Sequence, residues 1–225
     1  MSKIAQFVLA SMFVALLGFS SATTVLADTA TFNFETLGTT SGGSINTLVT
    51  GAGGLTLTLS RPGSSFDIVD FTGAVPPSFG ARTLSPFSHQ DSNTPFIANF
   101  SSVISSLSIE MGDFGGLNAD LDTLTMIAYD ALDGGGNIIG TTTATCCGGA
   151  APGFVFTTLT VSGAGIRSVR FIGGGGASTA NSVYYDNITA TFGPAPVPEP
   201  ATMMLLGTGL IGVAAEFRRR RNSSS

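Results

Sequence analysis

The chain has 225 residues, of which 43% are hydrophobic and 10% are charged, against about 25% charged in an ordinary soluble domain. Residues 28–193 contain four Arg, no Lys and twelve acidic residues, which gives this stretch a net charge of −8. Such an acidic body has too few cations to neutralise a phosphate backbone, so we expect no nucleic acid partner. The length allows one domain with additional terminal segments, or two small domains.

The first 27 residues have the three parts of a secretory signal peptide. Lys3 supplies the positive charge, residues 4–19 form an apolar run, and small or short side chains lead up to Ala27. We place the cleavage site after Ala27, with Ala22 as the second choice. Because the apolar run is short for a membrane span of about 20 residues, an uncleaved N-terminal anchor is the less favoured alternative. The chain is therefore predicted to be exported.

Residues 28–193 carry the pattern of short β-strands. Apolar and polar side chains alternate along 103–110 and 123–129, with the period of two that is typical of a half-buried strand. Thr, Val, Ile and Phe dominate the predicted strands, which lie at 29–35, 55–59, 66–71, 95–100, 103–110, 123–129, 138–145, 154–161, 166–172 and 183–192. Gly- and Pro-rich turns separate these strands. The pattern predicts an all-β fold, an antiparallel β-sandwich of jelly-roll type. A Thr-rich β-helix is the rival architecture, but it needs a fixed repeat that the sequence lacks.

His89 is the only histidine of the chain and lies in a polar segment between predicted strands. As a histidine, it is the side chain that could act as a general base near neutral pH. No G-x-S-x-G sequence, which would carry the nucleophile of a Ser-His-Asp triad, accompanies it. Carboxylate pairs for glycoside hydrolysis are numerous, and no spacing singles out two of them. We therefore predict no catalytic residues and a protein that is not an enzyme.

A cluster of oxygen-bearing side chains lies in a Gly-containing loop before a predicted strand. Its members are Asp113, Asn118, Asp120 and Asp122. Hard oxygen ligands at alternating positions suit Ca²⁺, which takes six to eight oxygens in a flexible geometry, although the spacing is not that of an EF-hand. A solvated acidic turn that caps a strand is the equally weighted alternative.

The two cysteines, Cys146 and Cys147, are adjacent in the sequence. An oxidising compartment outside the cytoplasm favours disulfides, and a bridge between neighbouring cysteines requires a strained ring. A disulfide between the two, an inter-chain bridge and a bound small thiol therefore all remain open. Two Cys and one distant His do not make a zinc site of ordinary spacing.

A second calcium site is suggested by the two ends of the body. Glu35 is the last residue of the first predicted strand, and Asp186 lies in the last one, on the same, buried side as Ile188 and Phe192. This pairing resembles the galactose-binding-like jelly rolls of carbohydrate-binding modules, and that resemblance implies a structural calcium shared by an early acid and a late Asp. A buried carboxylate needs a compensating partner, for which Arg167 or Arg170 is the alternative to a metal.

The C-terminal segment has three parts in a fixed order. A Pro-rich linker at 194–200 ends in Val197, Pro198, Glu199 and Pro200; an apolar stretch at 201–217 follows; and a basic tail at 218–225 begins with Arg218, Arg219, Arg220 and Arg221. The apolar stretch predicts a short transmembrane helix, and the positive-inside rule keeps the four Arg in the cytoplasm.

This arrangement resembles the PEP-CTERM sorting signal of Gram-negative bacteria, which is also described as an ice-binding-protein C-terminal motif. The resemblance implies transient retention in the inner membrane and cleavage by an exosortase near Pro198, Glu199 and Pro200. It also implies a link to exopolysaccharide and biofilm matrix. An ordinary tail anchor with a chance VPEP sequence is the alternative.

These features together predict an exported protein that is anchored in the inner membrane as a precursor and then reaches the cell surface or the extracellular matrix. We expect a structural or adhesive role, with exopolysaccharide or another glycan as partner. The alternatives are a calcium-dependent protein similar to a carbohydrate-binding module, a secreted hydrolase and an ice-binding protein.

Overall fold

The computed structural model describes residues 27–86, 94–115, 121–147, 153–174, 183–193 and 207–211. Ten strands account for most of them: β1 (Asp28–Phe32), β2 (Thr47–Ala52), β3 (Leu55–Ser60), β4 (Phe66–Asp70), β5 (Arg82–Pro86), β6 (Phe96–Gly115), β7 (Asp122–Tyr129), β8 (Ile138–Cys146), β9 (Gly153–Gly174) and β10 (Tyr184–Phe192). Every strand pair in these ranges is antiparallel. The predicted all-β, antiparallel architecture is therefore confirmed.

The two longest strands, β6 and β9, take part in both sheets of a sandwich. The first residues of β6, up to Asn99, pair with β3 on one side and with the second half of β9 on the other. From Ser106 onward, β6 pairs with β10 and with the first half of β9. Register shifts around Ile104 separate the two parts. Such irregularities bend a strand and let it pass from one sheet to the other.

One sheet thus has the order β2-β3-β6-β9-β7-β8. The other has the order β4-β5-β10-β6-β9, with β1 beside β5 on the same edge of β10.

The core lies between these two sheets. The Tyr185 ring of β10 is fully buried and contacts Phe96 of β6 and Phe171 of β9, with ring centroids 5.2 Å and 5.0 Å apart. Phe66 and Phe96 make a further edge-on contact at 5.4 Å. Aromatic pairs of this kind add to the free energy gained from burying their apolar surface, so phenylalanines form the centre of a core that contains no tryptophan.

The observed strands differ from the predicted ones in two respects. β2 and β5 were not predicted. The predicted strands 95–100 and 103–110 are both parts of β6, and the predicted strands 154–161 and 166–172 are both parts of β9. Ser101 and Ser102 have the composition of a turn, yet the backbone continues through them because β6 changes its pairing partners there. Strand continuity of this kind depends on distant partners, which the local pattern does not contain.

The terminal predictions fall mostly outside the described residues. Outside the described residues lie the signal peptide before Ala27, the sorting residues Val197, Pro198, Glu199 and Pro200, and the basic residues Arg218, Arg219, Arg220 and Arg221. Three internal residues singled out by the sequence also lie outside them: His89, Asn118 and Asp120. Of the predicted membrane helix at 201–217, residues 207–211 are described, and they are helical. None of the helices in the ranges given above has the length and apolar character needed to cross a membrane.

Candidate cation site

Asp186 is a fully buried carboxylate at a bulge of β10. The register between β10 and β6 shifts after Asp186, and Asn187 adopts a left-handed backbone with φ of 46°. An extra residue at this point reorients neighbouring side chains, as β-bulges do beside functional sites. The Asp186 side chain has no exposed surface. Its Oδ1 accepts a hydrogen bond from the Asn187 N–H at 2.6 Å, while its Oδ2 has no hydrogen-bond partner within the described residues.

Glu35 approaches Asp186 from the turn that follows β1. Its Oε1 accepts hydrogen bonds from the backbone N–H groups of Ala81 at 2.6 Å and Arg82 at 3.0 Å. The Arg82 side chain donates in turn to the Glu35 carbonyl oxygen at 3.1 Å and to the Leu37 carbonyl oxygen. These bonds tie the turn after β1 to the start of β5, so the Glu35 carboxylate is held in place from two sides.

Gly80 leaves the space in which the two carboxylates meet. A Cβ at this position would lie 2.5 Å from Glu35 Oε1 and 2.6 Å from Asp186 Oδ2, so the two oxygens are within about 5 Å of each other. The Gly80 φ of +95° is also a conformation that other residues adopt only with strain. Any side chain here would displace one or both carboxylates.

Glu110 and Asn187 close the other side of the site. Glu110 lies opposite Asp186 in the register of β6 and β10. The Asn187 Nδ2 donates to Glu110 Oε2 at 2.9 Å and to the carbonyl oxygens of Ser78 at 3.1 Å and Phe79 at 3.4 Å. Three acceptors around one amide nitrogen fix its orientation. The site opens to solvent through a cleft of about 480 Å³, whose lining includes Asn33, Glu35 and Asn187.

The electrostatics disfavour a negative charge on Asp186. Burial raises its pKa from 3.8 to about 8, and the nearby Glu35 and Glu110 carboxylates contribute to the rise, while the hydrogen bond from Asn187 acts in the opposite direction. A bound cation would remove this penalty, because an opposite charge nearby favours the ionised form of a carboxylate.

The donor set suits a hard cation only in part. In the portions of the chain that are described, no group of three or more His, Cys, Asp or Glu side chains is arranged to hold a metal ion. Two close carboxylate oxygens with backbone carbonyls and water are, however, a ligand set that Ca²⁺ accepts, since it needs six to eight oxygens and takes backbone and water ligands. Glu35 and Asp186 would be the side-chain ligands, and Asp186 Oδ2 is the buried atom that lacks a hydrogen-bond partner among the described residues.

The structure therefore brings together two of the residues that the sequence suggested, and it adds two that the sequence did not. Glu35 and Asp186 lie side by side. Glu110 and Gly80 were missed, because their proximity depends on the register of β6 and on the loop before β5. The alternative partner Arg170 lies elsewhere: its Nη2 donates to the Asp133 carbonyl oxygen at 3.4 Å, and its guanidinium group lies over the Tyr129 ring at 5.5 Å.

The described members of the other predicted calcium cluster are buried on strands. Asp113 belongs to β6, where its Oδ1 accepts a hydrogen bond from the Phe114 N–H at 2.7 Å. Burial of Tyr184, and to a lesser extent the negative charge of Asp113, raise the pKa of the Tyr184 phenol to about 12. Asp122 is fully buried at the start of β7, opposite Cys146. Neither residue lies in an exposed turn.

Cys146 and Cys147 form a disulfide with each other at the end of β8. Both side chains are buried in the core, and Cys147 has a left-handed backbone with φ of 74°. The Cys147 sulfur lies 3.3 Å from the Val155 carbonyl oxygen of β9. Of the three arrangements that the sequence left open, the structure contains the vicinal bridge.

The molecule is thus defined as an antiparallel β-sandwich with a buried carboxylate, that of Asp186, near one end of β10. Its C-terminal residues 196–221 match the family model of the PEP-CTERM protein-sorting motif, which confirms the resemblance of the tail. The motif implies processing by an exosortase and an exported, membrane-anchored precursor. No curated protein matches the chain.

Several solved structures are similar to much of this chain. The K2 cleaved adhesin domain of Lys-gingipain is 17% identical, with a TM-score of 0.47 over 73% of this chain and 98% of that domain. The K1 cleaved adhesin domain of Lys-gingipain from Porphyromonas gingivalis W83 is 12% identical, with a TM-score of 0.44 over 72% and 97%. The CBM22-1-GH10 modules of Clostridium thermocellum endo-1,4-β-D-xylanase 10B are 12% identical, with a TM-score of 0.37 over 78% of this chain and 29% of that one. At these identities and TM-scores, the similarities do not bear on function.

Proposed function

We propose that this protein is an exported cell-surface or extracellular-matrix protein with a structural or adhesive role in exopolysaccharide or biofilm. The proposal rests on one observation, the match of residues 196–221 to the PEP-CTERM protein-sorting motif. In this proposal the signal peptide ends at Ala27, the body is a jelly-roll type β-sandwich, and an exosortase removes the membrane helix and the four arginines. The acidic body, without Lys between 28 and 193, agrees with a partner that is not anionic.

Calcium is the proposed structural ion of the body. The support is the buried Asp186 Oδ2, which has no hydrogen-bond partner in the described residues and lies within about 5 Å of Glu35 Oε1. An unpaired buried carboxylate destabilises the folded state. A Ca²⁺ ion bound by Asp186 and Glu35 would compensate the negative charge and link β10 to the turn after β1. Such a link would hold the two ends of the body together outside the cell.

The same carboxylates support a binding protein better than a hydrolase. A general acid must reach its substrate, and the Asp186 side chain has no exposed surface. Glu35 Oε1 already accepts two backbone hydrogen bonds. We therefore propose a non-catalytic role, and loss of polysaccharide chain length on incubation with the protein would favour the hydrolase alternative.

Export and sorting are tested in the producing cell by fractionation. We expect the triple variant Pro198→Ala, Glu199→Ala, Pro200→Ala to accumulate as an unprocessed precursor in the inner membrane. Pro194→Ala is the matched control, because it changes the same linker outside the matched residues 196–221. Equal surface delivery of both variants would contradict the proposal.

Calcium binding is tested by thermal unfolding of the purified exported protein after treatment with a chelator. We expect added Ca²⁺ to raise the melting temperature and equimolar Mg²⁺ to raise it less, because Mg²⁺ demands a stricter octahedral geometry. A ligand at about 100 times its Kd stabilises the native state by about 2.7 kcal/mol. A melting temperature that does not respond to Ca²⁺ would remove calcium from the proposal and leave the sorting untouched.

A further inference from the structure

The sheet with the order β2-β3-β6-β9-β7-β8 ends in two edge strands, β2 and β8. Within the described ranges, β2 pairs only with β3 and β8 pairs only with β7. The outer edge of each strand therefore presents backbone N–H and C=O groups that no neighbouring strand of the described residues uses. Such edges are templates for pairing with another chain. The register is regular along all of β2 and along 140–146 of β8, so each edge can carry a new strand.

Both edges lack the features that normally prevent pairing between copies. Natural edge strands carry charged side chains, Pro or bulges for this purpose. Neither β2 nor β8 contains a charged residue or Pro, and the one register shift of β8, beside Ile138, lies outside 140–146. The other sheet differs, because its edge strand β4 contains Asp67 and Asp70. The acidic residues of the body are thus present at that edge and absent from β2 and β8.

The core-facing side chains of both edge strands are incompletely covered. Leu48 and Ala52 of β2 pack against the core and are only half-buried, and Ala144 of β8 is placed in the same way. The equivalent side chains of the interior strands β3 and β7 include Leu57 and Leu124, which are fully buried. A further strand beside β2 or β8 would remove this remaining apolar surface from water, which favours association.

The strand directions make the two edges complementary to each other. Neighbouring strands are antiparallel throughout the order β2-β3-β6-β9-β7-β8, so β2 and β8 run in opposite directions. A second copy in the same orientation would therefore place its β2 antiparallel to β8 and continue the alternation. A contact between two different surfaces is heterologous, and it generates an open fibre when its rotation does not close a ring.

We propose that the β2 edge of one copy pairs with the β8 edge of the next, so that copies of this chain join head to tail into a continuous sheet. This inference rests on the structural role proposed above and names a second copy of this chain as the partner. The two edge strands carry no charge, so their pairing buries no unpaired charge. The body as a whole has a net charge of −8, so association should strengthen with salt, which screens the repulsion between copies.

The test places charges on the two edges. Thr143 of β8 and Val49 of β2 are exposed and lie near the middle of their strands. Paired strands are about 4.8 Å apart, so charges at these positions would interact across the junction, since salt at physiological strength screens only beyond about 8 Å. The like-charge variant is Thr143→Glu with Val49→Glu, and the opposite-charge variant is Thr143→Lys with Val49→Glu.

A matched control adds the same two charges away from the edges. Thr123→Glu and Thr56→Glu alter exposed positions on the interior strands β7 and β3 of the same sheet. This control variant has the net charge of the like-charge variant, so it separates an effect at the junction from a general increase in repulsion. Circular dichroism and thermal unfolding check that each variant is folded.

The measurement is sedimentation velocity of the purified exported protein over a concentration series at low and physiological salt, with electron microscopy of the largest species. We expect the wild type to form linear assemblies whose mass rises with concentration. The like-charge variant should associate about tenfold more weakly, because like charges oppose each other at every junction. The opposite-charge variant and the control variant should associate nearly as tightly as the wild type.

Four results would each overturn the inference. These are a wild type that stays monomeric at all concentrations, closed dimers in place of linear assemblies, equal losses in the like-charge and control variants, and a loss in the opposite-charge variant as large as that in the like-charge variant. The last result would indicate pairing of β8 with β8 or of β2 with β2, where identical charges meet. The wild-type measurement decides even if a variant does not fold. None of these results affects the fractionation and calcium tests, so the two proposals fail separately.

Discussion

Replacing Asp186 by Asn removes the charge whose burial the body has to compensate. The substitution keeps a carbonyl oxygen that can accept the Asn187 N–H, which Asp186 Oδ1 accepts at 2.6 Å. It abolishes titration of the side chain and weakens it as a calcium ligand. The Asp186→Asn variant therefore tests the electrostatic description of the site and the role of calcium at once.

The expected change in the free energy of unfolding follows from the pKa of Asp186. Burial of Asp186, together with Glu35 and Glu110, raises its pKa from 3.8 to about 8 in the folded protein. Between these two values the folded state binds more protons than the unfolded state, so this group's contribution to stability is fully present below pH 3.8 and is lost as pH rises through 8. Each pH unit in this window corresponds to about 1.4 kcal/mol. Between about pH 5 and pH 8 the calcium-free wild type should lose roughly 4 kcal/mol of unfolding free energy at this site.

The assay is denaturant unfolding at several pH values, in chelator and in Ca²⁺. In chelator, the difference in unfolding free energy between Asp186→Asn and wild type should grow in favour of the variant as the pH rises towards the Asp186 pKa of about 8. In Ca²⁺, wild type should be stabilised and the variant should not. Asp28→Asn, at the exposed start of β1, is the control and should follow the wild-type pH dependence. Parallel pH curves for wild type and Asp186→Asn in chelator would contradict this electrostatic description.

Three further predictions concern the same end of the molecule and the disulfide. Gly80→Ala should reduce the free energy of unfolding by about 1–3 kcal/mol and lower the melting temperature, because the φ of Gly80 is +95° and the new Cβ would meet two carboxylate oxygens. Gly38→Ala is the control and should have little effect, because there is open space around Gly38. Glu35→Ala should cost about 2 kcal/mol in chelator, measured by denaturant unfolding, because the Ala81 and Arg82 N–H groups lose their acceptor; a loss no larger than that of the exposed substitution Asp28→Asn would contradict it. Thiol titration of the exported protein should find no free thiol before reduction and two afterwards, because Cys146 and Cys147 are bridged; thiols in the unreduced protein would contradict the bridge.

The strand pattern was readable from the sequence, and the site only in part. Alternation along 103–110 and 123–129 predicts strands because one face of each is buried, and β6 and β7 contain these segments. Glu35 and Asp186 could be paired by resemblance, because one follows the first strand and the other lies in the last one. The contributions of Gly80 and Glu110 depend on long-range register, and a single sequence does not specify it.

Export and exosortase processing are tested most directly by the mass of the protein recovered from the cell surface or matrix of the producing organism. Intact-mass and terminal-peptide mass spectrometry should find a chain that begins at Asp28 and ends near Pro198, Glu199 and Pro200. A surface form that still carries Arg218, Arg219, Arg220 and Arg221 would contradict the proposed processing.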